Sequence, residues 1–126
     1  MPNRVVHFEI PADDVSRAQD FYRQTFGWDI NEMQGAGYTL LGTAPSDEGG
    51  TPAEPGAING GMLKRQGPIT NPVITVEVPD IDEALETIER CGGQVALGKF
   101  SVGDIGFSAY FIDSEGNTLG LWQPRA

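Results

Sequence analysis

The chain is short of cysteine, of cations and of long apolar runs. Its single cysteine, Cys91, excludes an internal disulfide, which fits a reducing compartment. Eight Lys and Arg stand against eighteen Asp and Glu, for a formal net charge of −10. Non-specific nucleic-acid binding depends on cationic neutralisation of phosphates, so a nucleic-acid partner is not expected. An anionic membrane surface would repel the same charge. No stretch approaches the ~20 apolar residues of a membrane span. The start, Met1-Pro2-Asn3-Arg4, shows no apolar h-region and no cleavage signal. The expectation is a soluble cytoplasmic protein.

Several motifs are missing as well. Neither the Walker spacing with its Lys nor GxGxxG before a helix is present. Asp113-Ser114-Glu115-Gly116-Asn117 lacks the spaced ligands and terminal Glu of an EF-hand and reads as a hairpin turn. Cys91 falls at a helix end with no evident base partner, where the helix dipole does not activate a thiol.

What the chain has is a repeat. Displaced by the 66 positions from Asp14 to Asp80, Val5–Ile30 falls without a gap on Asn71–Ala96. Ala18 then meets Ala84 and Gly27 meets Gly93, while Phe8, Ile10, Val15 and Tyr22 meet Ile74, Val76, Ile81 and Ile88. The shared plan is a strand, an acidic cap, an amphipathic helix and a glycine stop. With 126 residues the chain is one domain, 1–126, of two modules, 1–66 and 67–126. Its size suffices for a core without a disulfide or a structural metal.

Alternation over Val5–Ile10 puts Val6, Phe8 and Ile10 on one face and Val5, His7 and Glu9 on the other. Pro11 is expected to end this strand. Asp13 or Asp14 caps a helix whose stripe is Val15, Ala18, Phe21, Tyr22 and Phe26, and Gly27 stops it. Trp28–Met33 and Tyr38–Thr43 read as strands about Gly35-Ala36-Gly37. Ala44–Ala57, with three prolines and three glycines, reads as an irregular loop, of a length that marks a lid or a disordered segment. Ile58–Lys64 is a glycine-containing strand. In the second module Val73–Val78 is a strand, Asp80 caps a helix, and Gly92-Gly93 ends it. Gln94–Leu97 starts a strand, Lys99–Gly106 is expected to be irregular, and Phe107–Asp113 with Thr118–Gln123 forms a hairpin. Each module is therefore β-α-β-β-β, and the class is α+β.

His7-Phe8-Glu9-Ile10-Pro11-Ala12-Asp13-Asp14, followed by Phe21-Tyr22 and Phe26-Gly27-Trp28, resembles the opening of the vicinal oxygen chelate superfamily, which includes glyoxalase I, bleomycin-resistance proteins and extradiol dioxygenases. Phe111–Asn117 resembles its closing hairpin. Ile58-Asn59-Gly60-Gly61-Met62 and Gly120-Leu121-Trp122-Gln123 are similar to a branch of small glyoxalase-related proteins. The resemblance covers essentially the whole chain. It implies two tandem βαβββ modules forming a curved sheet system around a central cavity, and a homodimer. It also implies a metal held by four side chains, two per module. Here His7 matches the first-strand ligand, but Val73 stands at its repeat position, and the glutamate places on the last strands fall on Gly120 and, to within one residue, Gly61. One ligand of four is too few for a catalytic metal. No metal and no cofactor are expected, and the partner is a small organic molecule.

His7 and Glu9 share a strand face, and together they are the candidate catalytic pair for proton transfer next to a carbonyl or enol. The alternative is a hydrogen-bonded relic at His7 and a solvated wall residue at Glu9. Candidate ligand-binding residues are Asn59 beside its paired glycines, Thr75, Tyr110 and Trp122. Core packing explains the two aromatic residues equally well, and the glycines equally mark a bulge or a tight sheet crossing. Two other functions stay open: a bleomycin-resistance-type drug-binding protein, and a metal-dependent lyase or dioxygenase with atypical ligands such as His7, Glu9 and Glu77.

Overall fold

The computed structural model describes residues 3–48 and 50–125. Met1, Pro2, Gly49 and Ala126 lie outside the described residues, and with them the Met1-Pro2 start and one position of the Ala44–Ala57 stretch. The elements are β1 (Val5–Ala12), α1 (Val15–Phe26), β2 (Asp29–Met33), β3 (Tyr38–Gly42), β4 (Gly60–Lys64), β5 (Val73–Glu77), α2 (Ile81–Arg90), β6 (Gln94–Val102), β7 (Gly106–Ile112) and β8 (Thr118–Pro124). The order is βαβββ twice over. No helix among the described residues is long and apolar enough to cross a membrane.

Contacts divide the chain into two compact units. One is His7–Pro72; the other groups residues 3–6 with Val73 onward. In the first unit the strand order is β2-β3-β4-β1. β1 runs parallel to β4 with Glu9 opposite Gly61, and β3 runs antiparallel to β4 with Leu40 opposite Gly61. Pro11 does not end β1, contrary to the sequence expectation. It lacks an N–H, yet the carbonyl of Ala12 beyond it still accepts from the Arg65 N–H at 2.9 Å.

The helix α1 forms where expected. The Asp14 side chain accepts from the Arg17 N–H at 3.0 Å, and Gly27 takes the left-handed backbone, φ 70°, that closes the last turn. Its inner stripe meets the apolar face of β1. Leu41, Met62 and Ala12 are buried, with Phe8, Ile10, Val15, Ala18, Tyr22 and Trp28 packed on them. Tyr22 stacks on Trp28 with ring centroids 5.0 Å apart. Phe21 and Phe26 stay exposed.

In the second unit the order is β5-β8-β7-β6. Helix α2 has two caps: Asp80 accepts from Glu83 N–H, and the Gln123 side chain accepts from Ile81 N–H at 2.9 Å. Ile81, Val78, Ala109 and Leu121 are the buried centre beneath it. The hairpin turn is held by Asp113. Its carboxylate accepts from the Asn117 N–H, the Asn117 amide and the Glu115 N–H, and these bonds hold its pKa below the ordinary value. The expectation of irregular chain from Lys99 is corrected: β6 continues to Val102, because two register shifts against β7, at Val95/Leu97 and Leu97/Phe100, absorb the misfit without ending the pairing.

Ala44–Ala57 is stapled at its base. The Asn59 amide donates to Ser46 Oγ at 2.6 Å and to the Gly50 carbonyl at 3.2 Å, while its oxygen accepts from the Thr43 N–H at 2.9 Å. Ser46 and Pro52 form an isolated bridge.

Leu41 is 1% exposed and Leu40, its neighbour on the other face, 44%. Leu41→Ala is expected to lower unfolding free energy by about 2–5 kcal/mol and Leu40→Ala by less than about 1 kcal/mol, as read by chemical denaturation. Equal costs would contradict the face assignment.

Candidate functional site

Three side chains meet on the face of the first unit opposite α1. Strand alternation turns Phe8 and Ile10 to the helix and therefore His7 and Glu9 away from it. Between them reaches Tyr38, from the start of β3. Its hydroxyl donates to Glu9 Oε2 at 2.8 Å and lies 2.7 Å from His7 Nε2. Strand alternation alone pairs His7 with Glu9 directly. The structure joins them through a third residue that was read only as the start of a strand.

The reach of Tyr38 follows from the sheet order. β3 and β1 lie on either side of β4, and strands are about 4.8 Å apart, so a residue of β3 must cross roughly 10 Å to touch one of β1. Tyr38 does so by laying its ring over Gly61. A Cβ at position 61 would overlap the Tyr38 hydroxyl and ring. On the opposite face, a Cβ at Gly60 would come within 2.5 Å of the Phe8 ring. The paired glycines are therefore filled by the protein's own aromatic side chains.

Glu9 is buried at 7% exposure and His7 is half-buried. Burial holds the His7 imidazole below its ordinary pKa of 6.5, because desolvation disfavours the cation; the Glu9 carboxylate pulls the value up and does not offset this. His7 is therefore neutral at neutral pH, the form that accepts a proton.

The second unit places Thr75, Tyr110 and Trp122 on its face away from α2. Thr75 is opposite Gly120, and Gly120 is opposite Tyr110. A Cβ at Gly120 would lie 2.9 Å from Thr75 Oγ1. Tyr110 is buried and stacks on Phe100 at 6.3 Å, and the Trp122 ring covers Gly106. Asn59 has its amide committed to the loop, as described above. A separate hollow of about 330 Å³ lies on the α1 side of the first unit, lined by Pro11, Arg17, Phe21 and Arg65 among others. It contains none of His7, Glu9 or Tyr38.

The family model for the bleomycin resistance protein-like N-terminal region matches residues 4–44, the segment that carries His7, Glu9 and Tyr38. CFP32 of Mycobacterium bovis, a glyoxylase-named protein, is 34% identical over 122 residues; the match covers 91% of this chain and 43% of CFP32, so the chain spans less than half of that relative's length. A glyoxylase-like domain-containing protein of Didymella fabae is 31% identical, with 90% of this chain and 88% of that protein covered. The chain belongs to the glyoxalase/bleomycin resistance/dioxygenase superfamily.

Solved structures show the same fold. One from Vibrio splendidus superposes with a TM-score of 0.61 at 16% identity over 98% of this chain and 100% of its own. Streptomyces coelicolor methylmalonyl-CoA epimerase, in complex with 2-nitronate-propionyl-CoA, gives 0.67 at 17% identity over 100% of both chains.

The metal implied by the superfamily resemblance does not fit the donors of this chain. The last-strand places that the resemblance implies, Gly61 and Gly120, are equivalent by register: Glu9 pairs with Gly61 as Thr75, its repeat equivalent, pairs with Gly120. Both places are glycine. The repeat position of His7 is Val73, buried at 1% exposure. Among the described residues no three His, Cys, Asp or Glu side chains come together as a metal-binding group, and His7 Nε2 already faces the Tyr38 hydroxyl.

His7 is the only histidine, so its imidazole gives one unambiguous set of NMR signals. Its titration midpoint is expected below 6.5, and lower still in Glu9→Gln, which removes the charge that raises it. The unfolded chain takes up this proton more readily than the folded one. The contribution of His7 to stability is therefore complete above about pH 6.5 and is lost as pH falls toward the folded value. A midpoint at or above 6.5 would contradict the burial argument.

Proposed function

We propose that this superfamily member binds a small organic molecule on the face of His7, Tyr38 and Glu9 and moves a proton next to its carbonyl or enol, with His7 as the base. The observation that carries this reading is the pair of hydrogen bonds linking His7, Tyr38 and Glu9. A neutral imidazole accepts the proton, and the carboxylate two bonds away stabilises the cation that results. No step calls on a metal, in keeping with the donor set. The methylmalonyl-CoA epimerase structures lend the reading a precedent for acyl-CoA chemistry on this fold. For this chain the substrate class proposed is broader: a carbonyl compound with an acidic neighbouring C–H. On the second unit, Thr75, Tyr110 and Trp122 are proposed as ligand contacts in their own right, forming a flat, partly apolar surface.

A second reading is favoured by the match to the bleomycin resistance protein-like model and by the net charge of −10. In it the protein sequesters a cationic drug and transforms nothing.

One experiment separates the two. The protein is incubated in D2O with a panel of α-hydroxy ketones and 1,3-dicarbonyl compounds, and deuterium incorporation is followed by NMR; bleomycin binding is titrated in parallel. Catalysed exchange that falls about 10²–10⁴-fold in His7→Ala supports proton transfer. Drug binding with no exchange supports sequestration. If His7→Ala changes neither affinity nor exchange, the role given to His7 is wrong.

A further inference from the structure

The hydrogen bonds of the site have directions, and these are set at the Glu9 end. A carboxylate only accepts. Tyr38 has a single hydroxyl proton, and it is given to Glu9 Oε2 at 2.8 Å. The phenol oxygen then has only lone pairs to present to His7 Nε2, 2.7 Å away. The hydrogen of that contact must therefore sit on Nε2. A neutral imidazole carries one ring hydrogen, so Nδ1 is the nitrogen left with a lone pair.

We propose that Tyr38 is a positioning residue that, backed by Glu9 and seated over Gly61, fixes neutral His7 as the Nε2–H tautomer and makes Nδ1 the atom that receives the substrate proton. The last clause rests on the proton-transfer reading given above; the tautomer does not. Two independent features support the assignment. Glu9 is buried on the same face as the phenol that bonds it. Position 61 also has no side chain, which is the condition for the Tyr38 ring to cross β4 at all. The second module shows what the same frame gives without these residues. By register, Ser108 stands where Tyr38 does, two residues before the partner of the last-strand glycine. Its hydroxyl donates to the Leu121 carbonyl at 3.1 Å, and the positions of His7 and Glu9 are held by Val73 and Thr75. The relay therefore belongs to the first module alone.

The test is long-range 1H–15N correlation on 15N-labelled full chain at about pH 8, above the ordinary histidine pKa. The wild type is expected to show a fully protonated Nε2, an unprotonated Nδ1 and a protected Nε2–H proton resonance in water. Tyr38→Phe removes the acceptor and is expected to abolish that protected proton and move both nitrogen shifts toward the tautomer mixture of a free imidazole. Gly61→Ala, which displaces the phenol while keeping it in the chain, is expected to do the same; Tyr22→Phe, in the aromatic cluster under α1, should change nothing. A wild-type ring protonated on Nδ1, or a Tyr38→Phe spectrum unchanged in shifts and in proton exchange, overturns the proposal. The two claims fail separately. Absence of C–H exchange with a locked Nε2–H tautomer defeats the proton-transfer reading and with it the role of Nδ1, whereas exchange with an Nδ1–H ring defeats the assignment to Tyr38.

Discussion

The site depends on a phenol crossing a strand. His7 and Glu9 sit on β1, Tyr38 on β3, and β4 lies between them. The crossing is open only because position 61 lacks a Cβ. Gly61 therefore does more than relax the backbone: its missing side chain is the volume in which the Tyr38 hydroxyl lies. A buried carboxylate without hydrogen bonds is costly. At Glu9 the phenol supplies one of them and at the same time connects the carboxylate to the imidazole. Burial also lowers the His7 pKa, so the one arrangement gives a buried carboxyl group a hydrogen-bond partner and keeps a neutral base.

The repeat clarifies how one frame yields two different surfaces. In each module a first-strand residue pairs in parallel with a last-strand glycine, Glu9 with Gly61 and Thr75 with Gly120. The backbones match; the side chains around the glycines do not. The first module surrounds its glycine with His, Glu and Tyr, and the second with Val, Thr and Ser, flanked by Tyr110 and Trp122. One surface holds groups that take and give protons, and the other holds apolar and hydroxyl groups. The superfamily resemblance implies ligands at both glycines, and this chain has side-chain contacts of its own in their place.

Much of this was legible in the sequence because it is local. Alternation in Val5–Ile10 set which side of β1 carries His7 and Glu9, and the caps were legible as Asp80 and as Asp13 or Asp14, of which the structure uses Asp14. The βαβββ plan follows from the same periodicities. Tyr38 was missed because its role depends on strand order, and that β4 lies between β3 and β1 is set by pairing between distant segments. The only clue was Gly60-Gly61, whose glycines signal that something approaches the backbone closely, without saying what. β6 was cut short for a similar reason: its pairing survives two bulges, and glycine-bearing sequence reads as irregular when the partner strand is not in view. Asn59 was read from its neighbours as a ligand contact, whereas its amide closes a loop through Ser46 and Gly50, residues nine to thirteen positions away.

The most direct test of the account is a neutron diffraction map of the deuterated protein at neutral pH, which locates each exchangeable deuteron of the site. The account predicts a deuteron on His7 Nε2 directed at the Tyr38 oxygen, the Tyr38 hydroxyl deuteron directed at Glu9, and none on His7 Nδ1 or on the Glu9 carboxylate. A deuteron on Nδ1, or a Tyr38 hydroxyl turned toward His7 with Glu9 protonated, would contradict it.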